Sequence, residues 1–284
     1  MTLSSTLLER LLCCPKCHTR LAFGAAELRC ASCGRSYPLR DGRPDFVGSE
    51  FSHSSDSEFA QEQMHASSLR AKLFNLGSRV INSDYTPVDQ LKEFVQEIPA
   101  GAVVFELGAG SRRLREDFVN LDLFDFPNVD VMSDIQATPL AEATVDYVVL
   151  DTVLEHVPDP QRVVREVHRI LKPGGRLLCI TPFIFNYHGY PNHYCNFSKD
   201  GLEEIFREFS SCTVAMNIGP SSALTNLISE YFALAFSRGN KTAYTIFKGL
   251  FLLPIFYLKY LDRLWVRSKD AHRISSTLCA TVTK

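Results

Sequence analysis

The chain has 284 residues, 45% of them hydrophobic, and a formal net charge of −2. That is apolar material for one large domain or a large plus a small one. It excludes the bulk basic field that gathers nucleic acid, which argues against an RNA substrate without ruling one out. Nine cysteines would suit a disulfide protein, but Met1 to Leu12 carries Glu9 and Arg10 and lacks the apolar core and cleavage site of a secretory signal. The expectation is a reducing, cytoplasmic setting, in which paired cysteines bind metal.

The first motif is Cys14-Pro-Lys-Cys17, a twelve-residue spacer, and Cys30-Ala-Ser-Cys33. Two such knuckles place four thiolates around one tetrahedral ion, and zinc prefers this soft, closed set. So small a segment builds no core of its own, so the metal supplies folding energy. With no open coordination position, the site is structural. A redox dithiol pair is the alternative, weakened by the absence of a βαβ pattern around the motif and by the presence of both pairs. Cys13 is left over. The run Cys33-Gly-Arg-Ser-Tyr-Pro-Leu-Arg-Asp-Gly-Arg-Pro-Asp45, taken with the knuckles, resembles the small zinc-ribbon domain that activates tRNA and translation-factor methyltransferases. The resemblance covers residues 1–47 and implies a fold and a habit of pairing with methyltransferases, not a substrate.

Gly48 to Ser57 is serine-rich and reads as a linker. Residues 58–81 read as one or two helices, with Phe59, Met64, Leu69, Leu73, Leu76 and Val80 as their apolar set. Thr86 and Pro87 suit the N-cap and first position of a further helix bearing Leu91, Phe94, Val95 and Ile98. Ala102-Val-Val-Phe-Glu-Leu-Gly-Ala-Gly110 then reads as a short buried strand running into a glycine turn. Gly108 and Gly110 tolerate positive φ and allow a ligand close to the main chain.

Three more apolar strands end at Asp122, Asp134 and Asp151, so with Glu106 four carboxylates fall at or near strand ends, where open α/β sheets bind ligands. A helix over Gln161 to Leu171 buries Val163, Val164, Val167 and Ile170, and Lys172-Pro-Gly-Gly175 turns into a fifth strand, Arg176 to Thr181. The loop from Phe183 to Ser198 is dense in aromatics and carries Tyr187, His188 and His193; such loops at a strand's carboxyl end commonly hold substrate. Ser198 caps the next helix. Residues 223–236 and 243–261 are strongly apolar, and the ten-residue uncharged run Gly249 to Leu258 is too short to span a bilayer. A buried or lid helix pair is expected there, with a membrane-surface or lipid-substrate contact as the alternative. Leu278 to Val282 reads as a last, antiparallel strand.

Glu106-x-Gly-x-Gly110, Asp122, Asp134 with Ala137-Thr-Pro-Leu140, Leu154-Glu-His156 and Arg169-x-Leu-Lys-Pro-Gly-Gly175 resemble the class I S-adenosylmethionine-dependent methyltransferases. The similar group includes ubiquinone-biosynthesis and related small-molecule enzymes. The resemblance implies an α/β, Rossmann-like seven-stranded sheet beside the zinc ribbon. The methyltransferase domain would run over 86–284 with a helical insertion at about 220–265, and 48–85 would hold the linker and cofactor-covering helices. It implies that the turn of Gly108, Ala109 and Gly110 lies against the methionine moiety, with Glu106 among the cofactor residues at the strand's carboxyl end. Asp122 would hold the ribose, with Leu123 against the adenine. Asp134 and Ile135 would meet the adenine amino group, and Asp151 and Thr152 would line the methyl-donor side. Only about a dozen residues separate Gly110 from Asp122, so the crossover helix of the family is expected to be short or missing, with Arg112 or Arg113 filling its space.

The sulfonium methyl is already activated, so the protein mainly orients donor and acceptor and excludes water. An oxygen or carbon acceptor needs a base, for which His156, His188 and His193 are candidates. Asp151-Thr-Val-Leu lacks the Asn/Asp-Pro-Pro-aromatic run of many nucleic-acid amino methyltransferases, which favours a small-molecule, lipid or glycan acceptor. An RNA methyltransferase guided by the ribbon and a non-catalytic cofactor-binding module stay open. Partners are thus a small acceptor and, through the apolar helices, a peripheral membrane contact.

Overall fold

Val104–Leu107 (β5 below) is buried along its whole length, as a strand flanked by parallel neighbours and covered on both faces must be. A computed structural model describes residues 5–48, 81–189 and 192–284. The apolar set expected on helices over 58–81 lies outside the described residues.

After α1 (Ser5–Leu11), a four-stranded antiparallel meander runs β1 (Leu21–Phe23), β2 (Glu27–Cys30), β3 (Ser36–Arg40) and β4 (Arg43–Pro44). Helix α2 (Gln90–Glu97) follows, with its cap three residues later than expected: Asp89 accepts from the Lys92 N–H and takes the place assigned to Thr86. A carboxylate is the better cap here, and Pro87 falls in the preceding turn. The large sheet holds seven strands in the order β10-β11-β9-β8-β5-β6-β7. They are β5 (Val104–Leu107), β6 (Val119–Asp122), β7 (Val131–Met132), β8 (Val145–Asp151), β9 (Leu171–Pro182), β10 (Ser211–Ile218) and β11 (Thr277–Thr283). Strand β11 alone runs against its neighbours, as expected of the carboxyl-terminal strand. Helix α3 (Pro160–Ile170) makes the β8–β9 crossover on Val163, Val164, Val167 and Ile170, and Asp159 caps it. Leu171 pairs with Val145 and Arg176 with Tyr147, so the Lys172–Gly175 turn loops out of the ladder. Ser198 caps α4 (Lys199–Ile205) through the Gly201 N–H.

No crossover helix joins β5 to β6; residues 108–118 form turns alone. Side chains satisfy the loop's carbonyls instead. Arg113 donates to Phe118 O at 2.8 Å and Asn128 O at 2.6 Å while pairing with Asp130, and the Asn128 amide donates to Gly110 O at 3.0 Å. A buried backbone carbonyl needs such a partner. Helix α2 covers this face, packing Phe94 and Ile98 on Val104, Phe118, Val149 and Leu178.

The amino-terminal meander shares the core of the opposite face. Leu11, Leu12, Leu28 and Tyr37 belong to one apolar cluster with Leu107, Leu121, Val131 and Leu140. It also extends the sheet edge: Asp45 bridges Met132 in parallel, Phe46 N–H donates to Met132 O at 2.9 Å, and Arg43 donates to Phe126 O and Val129 O. An edge strand as short as β7 is thereby covered.

Between β10 and β11 lie α5 (Pro220–Ser237), α6 (Lys241–Leu252) and a 3-10 segment, Phe256–Leu264. Of the expected buried or lid helix pair, the apolar burial is corrected here. Helix α5 is turned inside out: Ser221, Ser222, Thr225, Asn226, Ser229 and Glu230 are buried, while Leu224, Leu227, Tyr231 and Leu234 are exposed. Its polar stripe is satisfied internally. The buried Asp262 carboxylate accepts from the N–H groups of Gly219, Ser221 and Ser222 and from the Ser222 hydroxyl, at 2.6–3.2 Å, capping a helix whose N-cap is a glycine. Glu230 takes Asn186, Tyr244 and Lys248. Among the described residues no single helix is long and apolar enough to cross a membrane; one bent pair, Lys241–Leu252 with Phe256–Leu264, passes by length and composition at 52°.

Candidate functional site

Chain order reverses at β5, which sends the chain to β6 and β7 on one side and to β8 on the other. A crevice must open at the carboxyl ends of the strands there. A cavity of about 630 Å³ fills it, within the range of small-molecule sites. Its walls hold Gly108, Ala109, Gly110, Asp122, Leu123, Asp134, Ile135, Asp151 and Thr152, joined by Phe124, Phe126 and Gln136. The turn is tight for a stated reason. Gly108 has φ +73°, and a Cβ there would lie 2.7 Å from both methyls of Val153; Gly110, at φ +58°, faces open space. Thr152 also holds a positive φ, 56°, which is costly for a β-branched residue and marks a site position.

Of the expected cofactor residues, Glu106 alone stays out of the lining. It is 1% exposed and sits beneath the floor, bonded to Arg112 Nε and Nη2 at 3.1 and 3.0 Å. Arg112 Nη1 meets Asp151 at 2.7 Å. Burial raises the Glu106 pKa and the guanidinium opposes it. Two carboxylates against one guanidinium leave this end of the cavity with a formal charge of −1, suited to a cationic ligand group. Asp122 accepts from Gly110 N–H at 2.8 Å and Phe124 N–H at 2.9 Å, one on each oxygen. Each oxygen keeps a lone pair for a ligand hydroxyl. Burial raises its pKa, countered by these backbone donors. Asp134 is exposed at the rim and caps the 3-10 turn Ile135–Ala137 through Gln136 N–H.

At the other end, His156 reaches the lining, with Asn192 and Tyr194 of the aromatic loop beside it. His188 and His193 do not line the cavity. They stand behind His156, with ring centroids 5.0 and 5.8 Å from it, and Tyr187 is 72% exposed, stacked on His193. His156 Nδ1 lies 2.6 Å from Asn192 O, and His188 Nδ1 3.1 Å from Asn186 O. His193 Nδ1 accepts from His188 N–H, and its Nε2 faces Asn196 Oδ1 at 2.6 Å. Burial lowers the His156 pKa, so the ring is neutral near pH 7; the Glu155 carboxylate raises that of His188. Glu155, fully buried beside them, was not singled out from the sequence, although it stands next to His156 in the Leu154-Glu-His156 run. Asn192 and Tyr194 were missed because their approach depends on the loop's folding back, through Tyr194 N–H to Glu155 O.

Far from the cavity, the sulfurs of Cys14, Cys17, Cys30 and Cys33 lie within 4.8 Å of one another. Cys17 and Cys30 stand 3.4 Å apart and Cys14 and Cys33 3.6 Å, near the spacing of thiolates sharing one ion. The donor set and the closed arrangement fit zinc.

Comparison with known proteins agrees with this division. Residues 105–179 match the family model "Methyltransferase domain" and residues 6–42 match "Trm112p-like protein". A demethylmenaquinone methyltransferase of Listeria welshimeri is 40% identical over 57 residues, 20% of this chain and 24% of that protein. An uncharacterised chloroplastic methyltransferase of Arabidopsis thaliana is 23% identical over 256 residues, 74% of this chain and 70% of its own. A solved S-adenosylmethionine-dependent methyltransferase from Thermotoga maritima is 14% identical with a TM-score of 0.45, covering 75% of this chain and 95% of that one. The chain spans a quarter or less of the length of the curated relatives it matches at 40% identity or above.

The glycine turn yields a test that needs no ligand. Gly108→Ala meets both the Val153 methyls and an unfavourable φ, so it should destabilise by more than the ~1 kcal/mol of a positive-φ substitution alone. Adding Val153→Ala removes the steric part only. Chemical denaturation of both single variants and the double variant should show a coupling of about 1 kcal/mol between the sites; simple additivity would place Val153 away from the turn in solution.

Proposed function

Given that this chain joins a class I methyltransferase domain to a Trm112-like segment, we propose that it transfers the methyl of S-adenosylmethionine to a small-molecule acceptor. The observation that carries this is the union, in one cavity, of the glycine turn, Asp122, Asp134 and the negatively charged floor. In this reading the Gly108–Gly110 turn and the Glu106–Arg112–Asp151 group hold the methionine end, whose ammonium and sulfonium suit a net negative floor. Asp122 takes the ribose hydroxyls. Leu123, Phe124 and Ile135 hold the adenine, with Asp134 at its amino group. When bound, the cofactor supplies an activated methyl; the chain's residues orient it, exclude water and present the acceptor. Thr152 and Val153 border the donor side. His156 is the candidate histidine that touches the acceptor, while His188 and His193 position it. The four cysteines hold one structural zinc.

A lipid-soluble acceptor reached at a membrane surface is the reading favoured by the inverted α5. A row of exposed apolar side chains includes Leu224, Leu227, Leu234, Ile246, Leu250 and Leu264. Exposed Arg238, Lys241, Arg263, Arg267 and Lys269 border it, with Asp270 as the exposed acid of that stretch. Apolar side chains rimmed by cations suit an anionic interface.

Four measurements follow. Calorimetric S-adenosylmethionine affinity should fall by about 1.5–3 kcal/mol in Asp122→Ala, the range for a charged hydrogen-bonding group, and by about 1 kcal/mol in the rim variant Asp134→Ala. Wild-type protein should release S-adenosylhomocysteine with phenolic or quinol-like acceptors; tight cofactor binding without turnover on any acceptor would make it a binding module. Elemental analysis of protein purified without chelator should find one zinc per chain, lost in Cys30→Ser; metal-free wild type would overturn the ribbon assignment. Co-sedimentation with vesicles containing phosphatidylglycerol should weaken with salt and in a Leu224→Asp, Leu234→Asp variant; failure to bind would assign the face to a protein partner.

A further inference from the structure

Glu155, His156 and His188 meet in a way their hydrogen bonds do not explain. Glu155 is fully buried, and neither carboxylate oxygen has a hydrogen-bond partner. The two imidazoles facing it have their tautomers set from behind. His156 Nδ1 and His188 Nδ1 each lie against a backbone carbonyl, of Asn192 and Asn186, so both carry the proton on Nδ1. In the neutral rings each Nε2 is then an acceptor, and it stands 3.8 and 3.7 Å from Glu155 Oε1. Those distances exceed a hydrogen bond. Three acceptor atoms thus converge beside the cavity wall, around a buried carboxylate that a positive charge between them would compensate.

We infer that Glu155, His156 and His188 form a divalent-cation site at the acceptor end of the cavity. The three ligand atoms lie within 4.8 Å of one another. A shared ion with bonds of about 2.0–2.2 Å holds neighbouring ligands at about 3.0–3.5 Å, so the three groups close on an ion by drawing inward from their present spacing. Two imidazoles and one carboxylate are the donors of open transition-metal sites, which suits manganese, iron(II) or zinc and leaves positions for a further ligand. Histidines that ligate metal typically donate their second N–H to a carbonyl, as both do here. His156 lines the cavity, so the open positions face the acceptor. His188 comes from the loop after β9, so the site also pins that loop. The site stands on geometry alone; only its use rests on the methyl-transfer reading, in which the ion would hold an acceptor oxygen and ease loss of its proton.

The test uses the full chain with its ribbon metal retained and manganese as the probe, because thiolate sites discriminate against that hard ion. Paramagnetic resonance or calorimetry should find one Mn²⁺ per chain, whether or not S-adenosylmethionine is turned over. Glu155→Gln and His188→Asn should each weaken it by about 10- to 100-fold while zinc content stays at one. Cys30→Ser should lose zinc and keep manganese. Near-ultraviolet dichroism identifies any variant that fails to fold, and the second substitution then decides. No Mn²⁺, Co²⁺ or second zinc bound by wild type at millimolar metal, or binding unchanged in both folded variants, overturns the site. In that case a charged His188 compensates Glu155, and nuclear magnetic resonance would show that ring protonated at neutral pH.

Discussion

The structure depends on the parallel pairing of β5 with β6 on one side and β8 on the other. Buried on both faces, this strand cannot end without exposing three carboxyl termini together, and the cavity is the space they leave. The glycine turn follows from that constraint. Val153, just after β8, packs where a Cβ on Gly108 would stand, so the turn and the neighbouring strand end occupy each other's space. Asp122 completes the arrangement by tying the turn to the end of β6 through Gly110 N–H. Changes at any of these positions act on site and fold together.

The missing crossover helix shows how the parallel β5–β6 pair is kept with a connection too short for a helix. A helix would bury its own backbone bonds; a turn leaves carbonyls to be paired. Arg113, Asn128 and Asn120 take that task, Asn120 by donating to Arg112 O. The neighbouring Arg112 points the other way, into the floor between Glu106 and Asp151. One short segment thus supplies both the structural replacement and the cation that allows two carboxylates to sit close together.

Much of this was legible in the sequence, because the signals were local. Apolar β-branched runs ending in acids located the strands of the parallel sheet, and the knuckle spacing located the thiolate cluster. Three things were not. Glu106 resembled a lining residue because strand alternation does not say whether an arginine will cover it. His188 and His193 were read as facing the cavity because sequence distance from β9 does not reveal that the loop turns back onto Glu155. The polarity of α5 was misread because an apolar run is ordinarily buried; Asp262, distant in sequence, and Asn186, Tyr244 and Lys248, which meet the helix's own Glu230, supply the partners that let the polar face turn inward. In each case the deciding contact is long-range or charged.

The two ends of the cavity solve opposite electrostatic problems. At the floor, Glu106 and Asp151 share Arg112, so the carboxylates are partly neutralised by a group that cannot lose its charge. Around Glu155 the facing groups are imidazoles whose Nδ1–H groups are engaged by backbone carbonyls, so that Nε2 of each turns to the carboxylate. Burial favours a neutral His156 while Glu155 favours a charged His188, so the same carboxylate pulls against the desolvation that governs its neighbour. A full positive charge from outside the chain settles that conflict for both rings at once, whereas a proton on His188 occupies only its own Nε2 and leaves His156 facing an anion unpartnered. The geometry therefore discriminates between ion and proton by the number of lone pairs satisfied: the ion engages all three, the proton two.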